Sequence, residues 1–151
     1  MSSKVKADLI LIHAPAIYDF RNRGDFVLGW YASQESSNVT PIFEMHPLGF
    51  LSIKSFLGER GLDVKIVNVA SLMLKHPTLD VEKLLEHLEA PVIGLDLHWL
   101  PHCQGSVEVA GLVKKVHPES FVVFGGIVST YYAREMMQYP QIDGVIRGYD
   151  T

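Results

Sequence analysis

The sequence of 151 residues predicts an α/β domain, doubly wound around a five-stranded parallel sheet. Three observations carry this expectation. Short β-rich runs alternate with segments of helical period. The runs are continuously apolar rather than alternating, which marks strands buried on both faces. Gly61, Pro91 and Pro140 close successive helical segments where a helix cannot continue.

The first strand is read over 8–13, DLILIH. A helix follows over 47–60, starting after Pro47 and stopping at Gly61, a C′ residue of left-handed conformation. The second strand covers 64–69. Asp80 is then an N-cap, with Val81, Leu84, Leu85 and Leu88 at i, i+3, i+4 and i+7 before Pro91 ends the segment. A third strand spans 92–98. Val109, Leu112, Val113 and Val116 repeat the helical spacing in a helix starting near Ser106. The fourth strand is 121–124, Ser129 caps a helix running to about Tyr139, and a weaker fifth strand covers 144–147. Right-handed crossovers place these helices on both faces of the sheet. The result is a flavodoxin-like (Rossmann-like) three-layer sandwich of strand order 2-1-3-4-5.

Two features depart from a tidy copy of that pattern. The connection over 14–46 far exceeds the usual span of about 2–6 residues, and a loop of that kind is commonly a lid, a binding loop or part of an extra element. The sequence also stops just after the fifth strand, so the helix that would cover one flank of the sheet is expected to be missing. Apolar side chains left bare there would favour a homodimer or docking of a following domain.

Composition narrows the function classes. With 48% hydrophobic residues the chain is long enough for one domain with a full core, and 1–151 is read as one unit. A net charge of −4 and a pI near 5.9, with the basic residues scattered, give no footprint for nucleic acid or an anionic membrane. The single cysteine, Cys103, rules out an internal disulfide and a multi-cysteine metal or iron–sulfur site in this chain, and suits a reducing cytoplasm. The polar opening and the short apolar run at 9–12 fit neither a secretion signal nor a span.

In an open α/β sheet ligands bind at the carboxyl ends of the strands. Phe124-Gly125-Gly126 places two glycines at such an end, where a Cβ would obstruct a bulky ligand. No G-x-x-x-x-G-K-[ST] and no G-x-G-x-x-G follows a strand, which argues against P-loop and ordinary dinucleotide sites. A response-regulator reading needs an acidic pair after the first strand, where Ala14-Pro15 stands instead.

Taken together, Ile12-His13-Ala14-Pro15, His46-Pro47-Leu48-Gly49, Gly94-Leu95-Asp96-Leu97-His98, Phe124-Gly125-Gly126 and Asp143-Gly144-Val145-Ile146-Arg147-Gly148 make the chain resemble the N-terminal cobalamin (B12)-binding domain of B12-dependent radical S-adenosylmethionine enzymes. The resemblance covers nearly the whole chain, and the spacing from Gly-Gly to Arg-Gly is its most specific part. It implies a cobalamin held along the carboxyl edge. It also implies a longer parent enzyme, methyltransferase-like, whose downstream domain carries a 4Fe-4S cluster and S-adenosylmethionine. The chain itself is then not catalytic, and no catalytic or metal-ligating residue is assigned. The cofactor-binding residues implied are Ala14, Pro15, Leu95, Asp96, Leu97, His98, Gly125, Gly126, Ile127, Ser129, Arg147 and Gly148.

Cobalamin is a broad, mostly apolar macrocycle with rim amides and a nucleotide tail, so it needs backbone polar groups and a slot with small walls. Gly125 and Gly126 supply the wall in this reading. A valine at Gly126 is expected to fill the slot and leave the fold intact. Backbone groups at 95–98 and 127–129 meet the amides and phosphate, helped by the amino end of the helix near Ser129. No Asp-x-His-x-x-Gly follows the first strand, which implies a cobalt whose lower face has no motif histidine. His98 and His102 flank Trp99 and are read as loop residues near the corrin, and His13 as a strand-end residue. Tyr18, Arg21 and Arg23 are read as a solvated charge cluster, with a cover over the corrin face or a substrate as the alternative, Arg147 as a partner of Asp143 or Asp150 or a group facing the next domain, and Cys103 as an incidental small residue. Two other classes stand beside this one. One is a flavodoxin-like docking domain without cofactor; the other is a flavin or nucleotide domain, disfavoured by the lack of a Ser/Thr-rich loop after the first strand.

Overall fold

The computed structural model describes residues 4–22 and 47–148. Five parallel strands form the main sheet: β2 (Leu9–His13), β3 (Val64–Asn68), β5 (Val92–Asp96), β6 (Phe121–Gly125) and β7 (Gly144–Val145), in the order β3-β2-β5-β6-β7. This is the doubly wound order that the sequence predicts. Two further strands, β1 (Val5–Lys6) and β4 (Leu88–Glu89), pair in parallel as a small separate sheet.

Register explains why the strand runs are continuously apolar. Ile10, Ile93 and Val122 stand in one row across the sheet, and Ile12, Leu95 and Phe124 in the next row on the same face. All six are buried. They pack beneath α2 (Val69–Lys75), α3 (Val81–Glu86), α4 (Cys103–Val116), α5 (Ile127–Tyr131) and α6 (Ala133–Met136) through Val69, Met73, Val81, Leu85, Val109, Val113 and Met136. Among the described residues the opposite face carries only α1 (Leu48–Gly58), whose Phe50 covers Leu11 and Val64. The row Leu9–Val92–Phe121 continues beyond α1's reach, and there Phe121 is 48% exposed. Both faces need apolar residues, but they are filled unequally.

Several boundaries differ from expectation for local reasons. Val69 opens a helix instead of ending a strand, because the Asn68 side chain accepts the Ser71 N–H as an N-cap. Asp80 caps α3 as expected, through Lys83 N–H. That helix stops at Glu86, and Leu88 pairs with Val5 in β4 instead of continuing it. The helix expected near Ser106 begins at Cys103, continuing a 3-10 turn over Leu100–His102. The helix expected from Ser129 begins at Ile127 and is divided at Tyr132 into α5 and α6. The third strand ends at Asp96 rather than at His98, and the fifth at Val145 rather than at Arg147.

The start of the long connection after β2 is not a free loop. Tyr18 N–H donates to Gln104 Oε1 at 2.9 Å, Gln104 Nε2 donates back to Tyr18 O at 3.1 Å, and Gly105 N–H donates to Ala16 O at 3.2 Å. Gly105 is required there, since a Cβ would lie 1.8 Å from the Pro15 carbonyl oxygen. Arg21 grips the Asp19 carboxylate through Nε at 2.9 Å and Nη2 at 2.6 Å, while Nη1 donates to the carbonyls of Pro77 and Leu79. The Tyr18 and Arg21 region is therefore a structural clasp onto α4 and the link between α2 and α3, not a solvated charge cluster. Arg23 lies outside the described residues, as does the rest of the connection through His46.

The clasp at Gly105 and the open surface at Gly58 of α1 predict opposite signs for two glycine substitutions. Gly105→Ala is expected to lower stability by more than about 3 kcal/mol, because backbone must move to admit the methyl group. Gly58→Ala, where nothing lies within 4 Å of the added carbon, is expected to raise it by about 0.5 kcal/mol. Urea midpoints of the two variants check both signs. The Arg21 hydrogen bonds hold the Asp19 carboxyl below its usual range, against the opposing effect of burial. A carboxyl depressed in the folded state stabilises above its unfolded pKa of about 3.9 and loses that contribution as pH falls through the folded value. Asp19→Asn should therefore be less stable than wild type at pH 7, with the difference shrinking as urea melts are repeated at progressively lower pH below about 4.

Candidate functional site

Parallel pairing brings the carboxyl ends of all five strands to one edge. There the rows on the α1 face end in polar or small groups: Asn68 beside His13, and Asp96 beside Gly125. His13 Nδ1 lies 2.9 and 3.0 Å from the two Asp96 oxygens. The carboxylate can only accept, so Nδ1–H is the donor and Asp96 fixes the tautomer of the ring. The His102 ring packs 5.3 Å from that of His13, centroid to centroid, and both histidines are buried. His13 is thus a strand-end residue tied to its neighbour strand, and His102 faces it from inside the fold instead of lining the rim.

The Gly125–Gly126 corner is built by close approach of two loops. Leu97 N–H donates to Gly125 O at 2.8 Å, and Val128 N–H returns to Leu97 O at 3.1 Å. Gly126 has φ +112°, and a Cβ on it would lie 2.7 Å from Leu97 O and 2.8 Å from His98 Nδ1. The expectation that a valine at Gly126 spares the fold is therefore corrected. The position is demanded by the chain's own backbone, and such a variant tests folding before it tests a ligand. Gly125 is different: nothing lies within 4 Å of where its Cβ would stand. That open volume is the cradle of the corner.

The twelve residues assigned from sequence separate by depth. His98, Ile127, Arg147 and Gly148 are exposed, while Asp96, Gly125 and Gly126 are half-buried. Ala14, Pro15, Leu95, Leu97 and Ser129 are buried and stand behind the edge as its support. Ser129 is no N-cap, since its Oγ donates to Gly125 O at 3.1 Å, from the turn before it. α5 itself spans five residues, and the Val128 and Thr130 N–H groups at its start are taken by Leu97 O and Gly126 O. Asp143 is engaged by Lys114 Nζ at 2.6 Å and by the Val122 N–H, so it is not the partner of Arg147, and Asp150 lies outside the described residues. Burial pushes the Cys103 thiol up, against a role as nucleophile.

Three neighbours of the edge lie outside the cofactor-binding set implied by the sequence. Trp99 and Leu100, 44% and 56% exposed, project at the same edge in the loop after β5. Thr130 links the corner to the end of the chain, with Oγ1 donating to Gly126 O at 3.0 Å and accepting the Gly148 N–H at 3.1 Å. A hydroxyl four residues after a glycine corner is a legible signal for such a bond only when the helix start is correctly placed at Ile127.

Among the described residues no group of three His, Cys, Asp or Glu side chains is arranged to hold a metal ion, and no helix is long and apolar enough to cross a membrane. Among the described residues the edge instead offers backbone, a glycine cradle, an exposed apolar rim and the exposed guanidinium of Arg147. These features suit a large, mostly apolar ligand with a polar periphery. No curated protein and no solved structure gives a significant match to the chain. Residues 38–151, more than half of its length, match the family model described as the B12 binding domain, and the chain belongs to that family.

Proposed function

We propose that this chain is the cobalamin-binding module of a B12-dependent radical S-adenosylmethionine enzyme. In this reading a domain downstream, carrying a 4Fe-4S cluster and S-adenosylmethionine, performs methyl transfer or a radical rearrangement in the cytoplasm. Membership of the B12 binding domain family supports cobalamin as the ligand. The observation that carries its placement is the open volume in front of Gly125, beside a corner whose backbone is otherwise locked. When bound, cobalamin supplies a cobalt centre able to carry a methyl group. The chain's own residues have the simpler tasks of binding and orientation. Gly125, held by the locked turn at Gly126, walls the tail slot, Trp99, Leu100 and Ile127 offer apolar surface to the macrocycle, and Arg147 supplies a cation for the phosphate of the tail. His98 stands on the rim, and Asp96 acts through His13 rather than on the ligand.

Incubation with hydroxocobalamin followed by desalting tests this reading. The wild-type chain is expected to keep the corrinoid absorbance bands. Gly125→Val should lose them with an unchanged circular dichroism spectrum, because the added side chain enters open space and not the core. A wild-type chain that emerges colourless would sink the cofactor reading and favour the docking domain without cofactor.

The half-covered sheet face gives that domain an interface. Phe121 and Ile146 are 48% and 54% exposed, and Val123 between them is half-buried, all beyond α1. We assign this face to the downstream domain or, in its absence, to a second copy of the chain. Sedimentation velocity of the 151-residue chain should show self-association that Ile146→Lys reduces. A wild-type chain that stays monomeric at high concentration would remove the face from the argument.

A further inference from the structure

The two loops that border the cradle, at Gly125–Gly126 and at Arg147–Gly148, come from different strands and touch through one side chain. Thr130 Oγ1 donates to Gly126 O at 3.0 Å and accepts from Gly148 N at 3.1 Å. The donor half is the back-bond that a helical threonine makes to the carbonyl four residues earlier, and it fixes the side-chain rotamer. With its hydrogen committed to Gly126, the hydroxyl oxygen presents lone pairs to the Gly148 amide. Among the described residues the last strand is tied to the corner's own strand by a short ladder, flanked by Asp143 N–H to Val122 O at 2.9 Å before it and Ile146 N–H to Phe124 O at 2.8 Å after it. Past Ile146, the described anchor of the arm is Thr130.

We propose that Thr130 is a positioning residue that fixes the width of the nucleotide-tail slot and makes the site select corrinoids that carry a tail. The inference rests on the cofactor reading above. The hydroxyl does not touch the corrin; it holds Gly148, and through it Arg147, at a set distance from the Gly125 cradle. A ligand with a phosphate-bearing tail gains from that distance. A ligand without one, reaching only the apolar rim, does not.

Two probes separate these effects: hydroxocobalamin, and cobinamide, which has the macrocycle and rim amides but no nucleotide. Affinities are read by titration of the corrinoid absorbance and of Trp fluorescence. Thr130→Val, nearly isosteric, is expected to weaken hydroxocobalamin about tenfold, the loss of one to two hydrogen bonds, and cobinamide less than about twofold. Thr130→Ser should restore the wild-type ratio. Arg147→Ala should lower the same ratio, and adding Thr130→Val to it should lower the ratio little further, since both act through one arm. An unchanged ratio in Thr130→Val overturns the proposal, and so does an equal loss for both ligands, which is what a merely structural role produces. Should Thr130→Val fail to fold, Arg147→Ala on the exposed arm carries the decision, and an unchanged ratio there overturns the proposal. A wild-type chain that binds neither probe overturns the cofactor reading itself, and a wild-type chain that binds both equally overturns only the clasp.

Discussion

The approach of the Leu97 carbonyl to Gly126 is the constraint on which the carboxyl edge depends. Two adjacent strands, β5 and β6, end level in register, with Asp96 opposite Gly125, and their exits must diverge without breaking the ladder between them. Leu97 N–H to Gly125 O and Val128 N–H to Leu97 O extend that ladder past the strand ends, and they draw the second glycine so close that no side chain fits. Because this contact satisfies the backbone internally, the neighbouring Gly125 is free to face outward. The cradle exists because the adjacent position absorbs the strain of the turn. A single glycine would have to serve both demands, and they are incompatible: one asks for contact with the chain and the other for its absence.

The second constraint acts from the other side of the same edge. Pro15, Ala16 and Tyr18 lie against the start of α4, with Gly105 permitting backbone-to-backbone contact that a methyl group would block. This contact occupies the space in front of β2, which in an open sheet is otherwise available to a ligand at the switch point. Ala14 and Pro15 are accordingly buried, and the accessible part of the edge moves toward β5, β6 and the exit of β7. The buried His13–Asp96 pair closes the floor between these regions. Its polar groups are matched to each other, so they need no ligand to satisfy them.

Strand number, order and parallel sense were legible because they follow from periodicity and connection handedness, and LILI, VIGL and FVVF are apolar on both faces of the sheet. The Asp80 cap and the Gly61 stop were legible for a similar reason, each being set by local backbone chemistry. What was not legible depended on contacts between distant segments. Val69 reads as a strand residue until Asn68 is seen to cap Ser71. Ser129 reads as a cap until its hydroxyl is found on Gly125 behind it. Gly126 reads as a ligand wall because a Gly-Gly pair in sequence does not say which member meets the protein. Arg21 reads as a surface charge until the carbonyls of Pro77 and Leu79, far along the chain, are placed beside it. In each case the residue type was informative and its direction was not.

Direction also decides what kind of binding site this edge can be. Two of the edge histidines are turned inward, His13 toward Asp96 and His102 toward His13, while the groups exposed at the β5 exit are His98, Trp99 and Leu100. Under the cofactor reading, a site so divided would hold the macrocycle by shape and by backbone. Selectivity must then come from geometry: from how far apart the walls stand and which of them can yield. The wall at Gly125 cannot yield, since the turn at Gly126 beside it rests on Leu97. If Thr130 acts as proposed, the wall at Gly148 rests on one hydroxyl, and the fixed separation of the two walls is what lets the tail, rather than the macrocycle, decide which corrinoid fits.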